Sequence, residues 1–205
     1  NSALLKSAKL IFPMLIFSVF FAEPIMTCMY GDIYAQSSIY FVIKNLSGLF
    51  YIIPFYPIIL AIGKTNSYAN AHMIAAFMIV MAEYVVCKTF DSAVYVAITS
   101  ELCKLFKIWL LLRVIANYAH KKITELLPPR PMTILIMISV LASLPPFLLL
   151  DFLNMNKFIV LFVCLGFFLV DYYVLCWICK VTYRDIAGGF LKNKSRLNAV
   201  VKILP

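Results

Sequence analysis

One apolar stretch near the middle of the chain carries Ser100, Glu101, Lys104 and Lys107. At a helical rotation of about 100° per residue, these side chains fall within an arc of roughly 120°. Counted from Asp91, they lie roughly 14 to 24 Å along the helix, which brackets the midplane of a spanning segment. A charge at that depth costs about 2.5–3.5 kcal/mol even on the lenient insertion scale, so it faces a polar interior or a partner. Two chemistries fit this stripe. Lysines lining a wet cavity suit an anionic solute or lipid headgroup, and a carboxylate beside them carries a proton or sodium ion or balances charge. Alternatively, Glu101 and Lys104 at i, i+3 are a structural ion pair. That pairing leaves Lys107 and Lys44 to be explained.

Other charges interrupt apolar stretches elsewhere. Lys44 lies roughly 12 Å in from Gln36 and is able to extend outward to an interface. Asp171 lies roughly 21 Å into the last stretch. Glu83 and Glu23 sit close to the same interface that Lys44 can reach, where a structural role suits them equally well. The candidate substrate contacts are therefore Lys104, Lys107 and Lys44, and the candidate ion-coupling groups Glu101, Asp171 and Glu83. No catalytic constellation accompanies them. His72 and His120 are isolated near stretch ends, and no paired-Asp motif is present. Five of the six cysteines (Cys28, Cys103, Cys164, Cys176 and Cys179) fall inside apolar stretches, with Cys87 at an end. Cys176-x-x-Cys179 has no second pair and no nearby His, so packing explains it better than a metal, and no cofactor is expected.

The elements that position these residues are six apolar stretches, Leu10–Tyr30, Gln36–Ile62, Ser67–Cys87, Asp91–Ala119, Pro131–Leu150 and Lys157–Cys179. Each reaches the roughly 20 residues that a membrane-spanning helix needs. With 64% hydrophobic and 13% charged residues and a mean hydropathy of +0.96, a soluble globular domain is excluded. The expected fold is all-α, a polytopic membrane protein of six transmembrane helices.

Thirteen of the eighteen Lys and Arg residues fall on one side of that arrangement. They are Lys6 and Lys9, then Lys64, then Arg113, Lys121, Lys122 and Arg130, and finally Lys180, Arg184, Lys192, Lys194, Arg196 and Lys202. Only Lys88 and Lys157 flank the other ends. By the positive-inside rule both termini are cytoplasmic, in keeping with an even number of spans. The +9 net charge is thus accounted for by topology and anionic membrane lipids. Nucleic acid is not an expected partner, because no basic segment carries an aromatic stacking platform.

Short connections make successive helices antiparallel neighbours. The longest break, Lys121 to Pro131, gathers Pro128, Pro129 and Pro131 and is expected to interrupt helix. It divides the chain into a four-helix unit, residues 1–122, a two-helix unit, residues 131–180, and a basic cytoplasmic tail, residues 181–205. Pro13, Pro24, Pro54, Pro57, Pro145 and Pro146 lie inside stretches and predict kinks. The chain opens at Asn1-Ser2 without Met, which suggests the C-terminal part of a longer protein.

The segment Phe21-Ala22-Glu23-Pro24-Ile25-Met26, running into Met29-Tyr30-Gly31-Asp32-Ile33-Tyr34-Ala35-Gln36-Ser37, resembles polysaccharide flippases. These Wzx-type transporters of O-antigen or capsule repeat units belong to the multidrug/oligosaccharidyl-lipid/polysaccharide exporter superfamily. The turn Leu60-Ala61-Ile62-Gly63-Lys64-Thr65 is similar to the family's next turn, and the resemblance covers roughly residues 1 to 122. At Asp91-Ser92-Ala93-Val94-Tyr95-Val96 the chain departs from the family's Gly-Ala-Ala-rich helix start. The resemblance implies the C-terminal half of a two-lobe, MATE-like transporter in the bacterial inner membrane, with a missing N-terminal half as its other lobe. It implies alternating access and an undecaprenyl-diphosphate-linked oligosaccharide as substrate, whose diphosphate explains a cationic lumen. Two other readings stay open. One is an integral-membrane enzyme of lipid or glycan metabolism, a polymerase or acyltransferase, and the other a small-solute carrier subunit.

Overall fold

The computed structural model describes residues 2–50, 55–90, 92–126, 129–150 and 156–179. Among these residues all regular structure is helical. The order is α1 (Ser2–Phe20), α2 (Ala22–Tyr30), a 3-10 turn (Asp32–Ser37), α3 (Ser38–Gly48), α4 (Phe55–Ala61), α5 (Thr65–Thr89), α6 (Ala93–Ala119), α7 (Ile123–Leu126), α8 (Pro129–Leu149) and α9 (Lys157–Ile178). The expected basic tail, the approach to the proline-rich break at 127–128 and residues 51–54 and 151–155 lie outside the described residues.

The last four expected spans emerge as single helices, α5, α6, α8 and α9. Of these, α5, α8 and α9 are long and apolar enough to cross a membrane, and α1 with α2 makes a fourth if the bent pair is one span. Helix α6 has 27 residues, ample for a crossing. What sets it apart is its charge, since Glu101, Lys104, Lys107 and Arg113 all lie along it. The apolar helices fit a multi-pass membrane protein. Their outward faces agree, because Met73, Phe77 and Val80 of α5 and Phe162, Val170 and Trp177 of α9 are all exposed.

The first two expected spans are not continuous helices. Helices α1 and α2 meet at a 77° bend. The cause is local. Phe21 takes a non-helical ψ of 24°, and Pro24 has no N–H to offer the carbonyl of Phe20. The helical bonds on either side survive, from Phe21 N to Phe17 O and from Ile25 N to Phe21 O, both at 2.9 Å. The second stretch starts at the end of the 3-10 turn and holds two separate helices, α3 and α4, with Leu49 and Phe50 in a turn after α3. At 11 residues α3 is only about 16 Å long, short of the bilayer core. Among the described residues, helix is interrupted between Ala119 and Pro129 apart from the one-turn α7, and Pro129 and Pro131 open α8, because the first turn has no intrahelical partners for its N–H groups to lose.

Two main cores form. One joins α1, α8 and α9, where Phe17, Phe21, Ile138, Ala142, Cys164 and Phe168 are buried together. Phe17 stacks on Phe21 with ring centroids 4.4 Å apart and lies 5.0 Å from Phe168. The other joins α4, α5 and α6 through Phe55, Ile59, Ala71, Ile108, Leu111 and Ile115. Helix α3 packs on α1 and α6, so it connects the two cores. Gly48 makes its contact with α1 close: a Cβ there would meet the Leu15 side chain at 3.3 Å.

Candidate functional site

Helix α6 delivers its polar stripe to α3. Glu101 is only 9% exposed, an unusual burial for a carboxylate. Lys104, one turn further on, donates from Nζ to Glu101 Oε1 at 2.7 Å. Lys44, from α3, brings its Nζ to 3.6 Å from the same oxygen. One carboxylate oxygen thus faces two ammonium groups on two helices. The second oxygen, Oε2, is buried with no hydrogen-bond partner among the described residues. Ser47 lies beside the carboxylate but donates its hydroxyl to the carbonyl of Lys44 at 2.8 Å. That bond helps to hold the α3 face against α6.

The local causes are simple. Lys44 and Ser47 share a face of α3 because they are three residues apart, and Glu101 and Lys104 share a face of α6 for the same reason. Where the two faces meet, one carboxylate is the shared counter-ion. The structure corrects the expectation that pairing within α6 leaves Lys44 unexplained, since Lys44 reaches the same carboxylate. Its side chain is 67% exposed against 24% for Lys104. Lys44 is therefore an outer, accessible cation and Lys104 an inner one.

The remaining candidates are placed differently. Lys107 is half-buried and lies within electrostatic reach of Lys104 and, from α5, of His72. Glu83 of α5 lies within electrostatic reach of Cys103 of α6, which is on a different face of that helix from Glu101. Asp171 is half-buried on α9, which packs on α8, α2 and α1, so the structure does not bring it to the stripe. Glu23 lines a separate cavity of about 480 Å³ below the α1–α2 bend, with Thr27, Asp32 and Lys157. There Lys157 forms an ion pair with Asp32. Cys176 is buried and Cys179 exposed on α9, and among the described residues no group of three His, Cys, Asp or Glu is placed to hold a metal ion.

Sequence reasoning missed two members of this neighbourhood. Ser47 carried a usable signal, its position one turn from Lys44. His72 carried none, because its nearness to Lys107 depends on how α5 registers against α6. Chemically, the arrangement has one more cation than the carboxylate can neutralise before Lys107 is counted. It can attract an anion.

No family model, curated protein or solved structure matches the chain.

Proposed function

We propose that this chain is part of a transporter that moves an anionic, lipid-linked oligosaccharide across a bacterial inner membrane by alternating access. The carrying observation is the Lys44–Glu101–Lys104 group on α3 and α6, where two ammonium groups share one oxygen of a buried carboxylate whose other oxygen has no hydrogen-bond partner among the described residues. A purely structural pair is selected for full satisfaction, because a half-satisfied buried network costs more than an apolar one. An incompletely paired group suits a site whose partners change during a cycle. In this reading Lys104, Lys107 and Lys44 replace the hydration of a diphosphate at mid-membrane, and Glu101 exchanges a proton or sodium ion as they do so. Asp171 and Glu83 are secondary coupling candidates.

The reading includes six crossings, with both ends of the segment in the cytoplasm, and a second lobe supplied by the rest of a longer, MATE-like protein. The broken second stretch, α3 and α4, is then a discontinuous span that lines the pathway, where irregular backbone is tolerated. The protein is a carrier in this scheme and not an enzyme.

The deciding experiment is genetic and chemical together. Cells depleted of the protein should accumulate untranslocated lipid-linked repeat units, and Lys104→Ala or Lys107→Ala in the full-length protein should reproduce that accumulation. Normal export in depleted cells would end the flippase reading. Reporter fusions test the topology separately: those after Lys122 should be cytoplasmic and those within residues 32–36 extracytoplasmic.

A further inference from the structure

At the far end of α6 lies a cavity that the transport reading does not use. It has a volume of about 450 Å³ and is lined by Lys64, Ser67, Val114, Asn117, Tyr118 and His120. Five of these six side chains can donate an N–H or O–H hydrogen bond, and none is a carboxylate. Asn117 is thirteen residues beyond Lys104 on the same helix, so the two places are roughly 20 Å apart.

The backbone presents this lining through two turns of the same kind. At the end of α4, Gly63 adopts φ +69° and Lys64 N–H returns to Ile59 O at 3.1 Å. At the end of α6, His120 adopts φ +51° and Lys121 N–H returns to Ala116 O at 3.1 Å. Such left-handed helix ends favour glycine, which has no Cβ to clash. The first turn uses glycine and the second keeps a histidine whose side chain lines the cavity. Among the described residues His120 is the single non-glycine residue with positive φ. A strained position that retains a ring at a cavity wall points to use of that ring.

We propose that this cavity is a phosphate-binding site, taking the phosphate of an anionic lipid headgroup or free phosphate. A phosphate presents several acceptor oxygens and negative charge, which matches a cluster of neutral donors around a lysine ammonium. Arg113, Lys121 and Lys122 add positive charge at the same helix end. The volume exceeds that of a bare phosphate and leaves room for the polar part of a headgroup, with Val114 as an apolar wall. The site lies at the cation-rich ends of apolar helices, where anionic headgroups gather.

The test uses the full-length protein in phosphatidylcholine nanodiscs. One arm adds phosphatidylglycerol and counts retained lipid by native mass spectrometry; the other titrates inorganic phosphate by calorimetry. Wild type should bind in at least one arm, and the arm that responds identifies the source. Lys64→Ala should weaken binding about tenfold through loss of a charge-assisted bond. His120→Gly should melt no lower than wild type, because it relieves the left-handed backbone, yet bind several-fold more weakly. Binding in neither arm would overturn the proposal. Wild-type binding in both Lys64→Ala and His120→Gly would overturn it equally.

Discussion

Helices α8 and α6 both bury polar side chains, and they satisfy them in opposite ways. On α8, Ser139 and Ser143 are fully buried. Each hydroxyl donates to a carbonyl of its own helix, Ser139 to Leu135 O at 2.7 Å and Ser143 to Ser139 O at 2.8 Å. A carbonyl has two lone pairs, so it accepts this bond without giving up the helical one. These two hydroxyls therefore need nothing polar from α1 or α9; the thiol of Cys164 on α9 donates instead to the Pro146 carbonyl of α8 at 3.6 Å. On α6, Glu101 draws Lys104 from the next turn and Lys44 from another helix, and its Oε2 has no hydrogen-bond partner among the described residues. Self-contained hydroxyls let helices slide or pack at little cost. A shared, half-satisfied carboxylate makes the α3–α6 contact depend on charge. Under the proposed transport reading, the difference puts function at that contact and stability in the α1–α8–α9 core.

The sharpest contrast comes from removing one large group on each side. Phe168 is 2% exposed and contacts Phe17 and Tyr172. Phe168→Ala should cost about 3–5 kcal/mol through the cavity it leaves. The loss should appear as a lower melting temperature that no second polar change repairs. A melting temperature near wild type would mean that the α1–α8–α9 core is loosely packed, and the comparison would lose one side.

Lys104→Ala should be nearly as costly, about 3 kcal/mol, because it leaves a buried carboxylate with only the exposed Lys44, whose Nζ lies at 3.6 Å, as partner. Here the loss should be reversible. Adding Glu101→Ala removes the stranded charge and should restore abundance and melting temperature. Export should not return with them if Lys104 contacts substrate. Recovery of export in the double variant would make the stripe ordinary packing.

Much of this comparison was legible before any fold was known, and the reasons are physical. Helices α5, α6, α8 and α9 follow long, mainly apolar runs, and the stripe on α6 follows from helical periodicity alone. Pro24 announced a kink, although not its size, since a 77° bend also depends on how Phe21 seats in the core. The division of the second stretch was hidden, because apolar composition is the same in one long helix and two short ones. The Lys44–Glu101 contact was hidden for a different reason. It joins helices distant in sequence, and only their tertiary register decides whether a lysine on α3 meets a carboxylate on α6.

Lys44 tests that register directly. With its side chain 67% exposed, its pairing with Glu101 is worth about 1 kcal/mol or less, so Lys44→Ala should leave the melting temperature almost unchanged. If Lys44 is the outer cation of a substrate path, export should nevertheless fall several-fold, and Lys44→Arg should recover part of it. Full export in Lys44→Ala would confine the site to Lys104 and Lys107.

The smallest effect belongs to α8. Ser143→Ala removes a hydroxyl that donates only to its own helix. The Ser139 carbonyl keeps its backbone partner, so no buried group is left unsatisfied, and the methyl of alanine occupies nearly the same space. Interhelical hydrogen bonds in membranes average about 0.6 kcal/mol, and a bond within one helix that does not hold two helices together should contribute no more. Thermal unfolding of Ser143→Ala should therefore match wild type within a degree or two, and export should be unaffected. A loss as large as that of Lys104→Ala would show that the hydroxyl reaches α1 or α9 in some state of the protein. The α8 face would then be polar in use, as α6 is, and the contrast between the two helices would no longer separate function from packing.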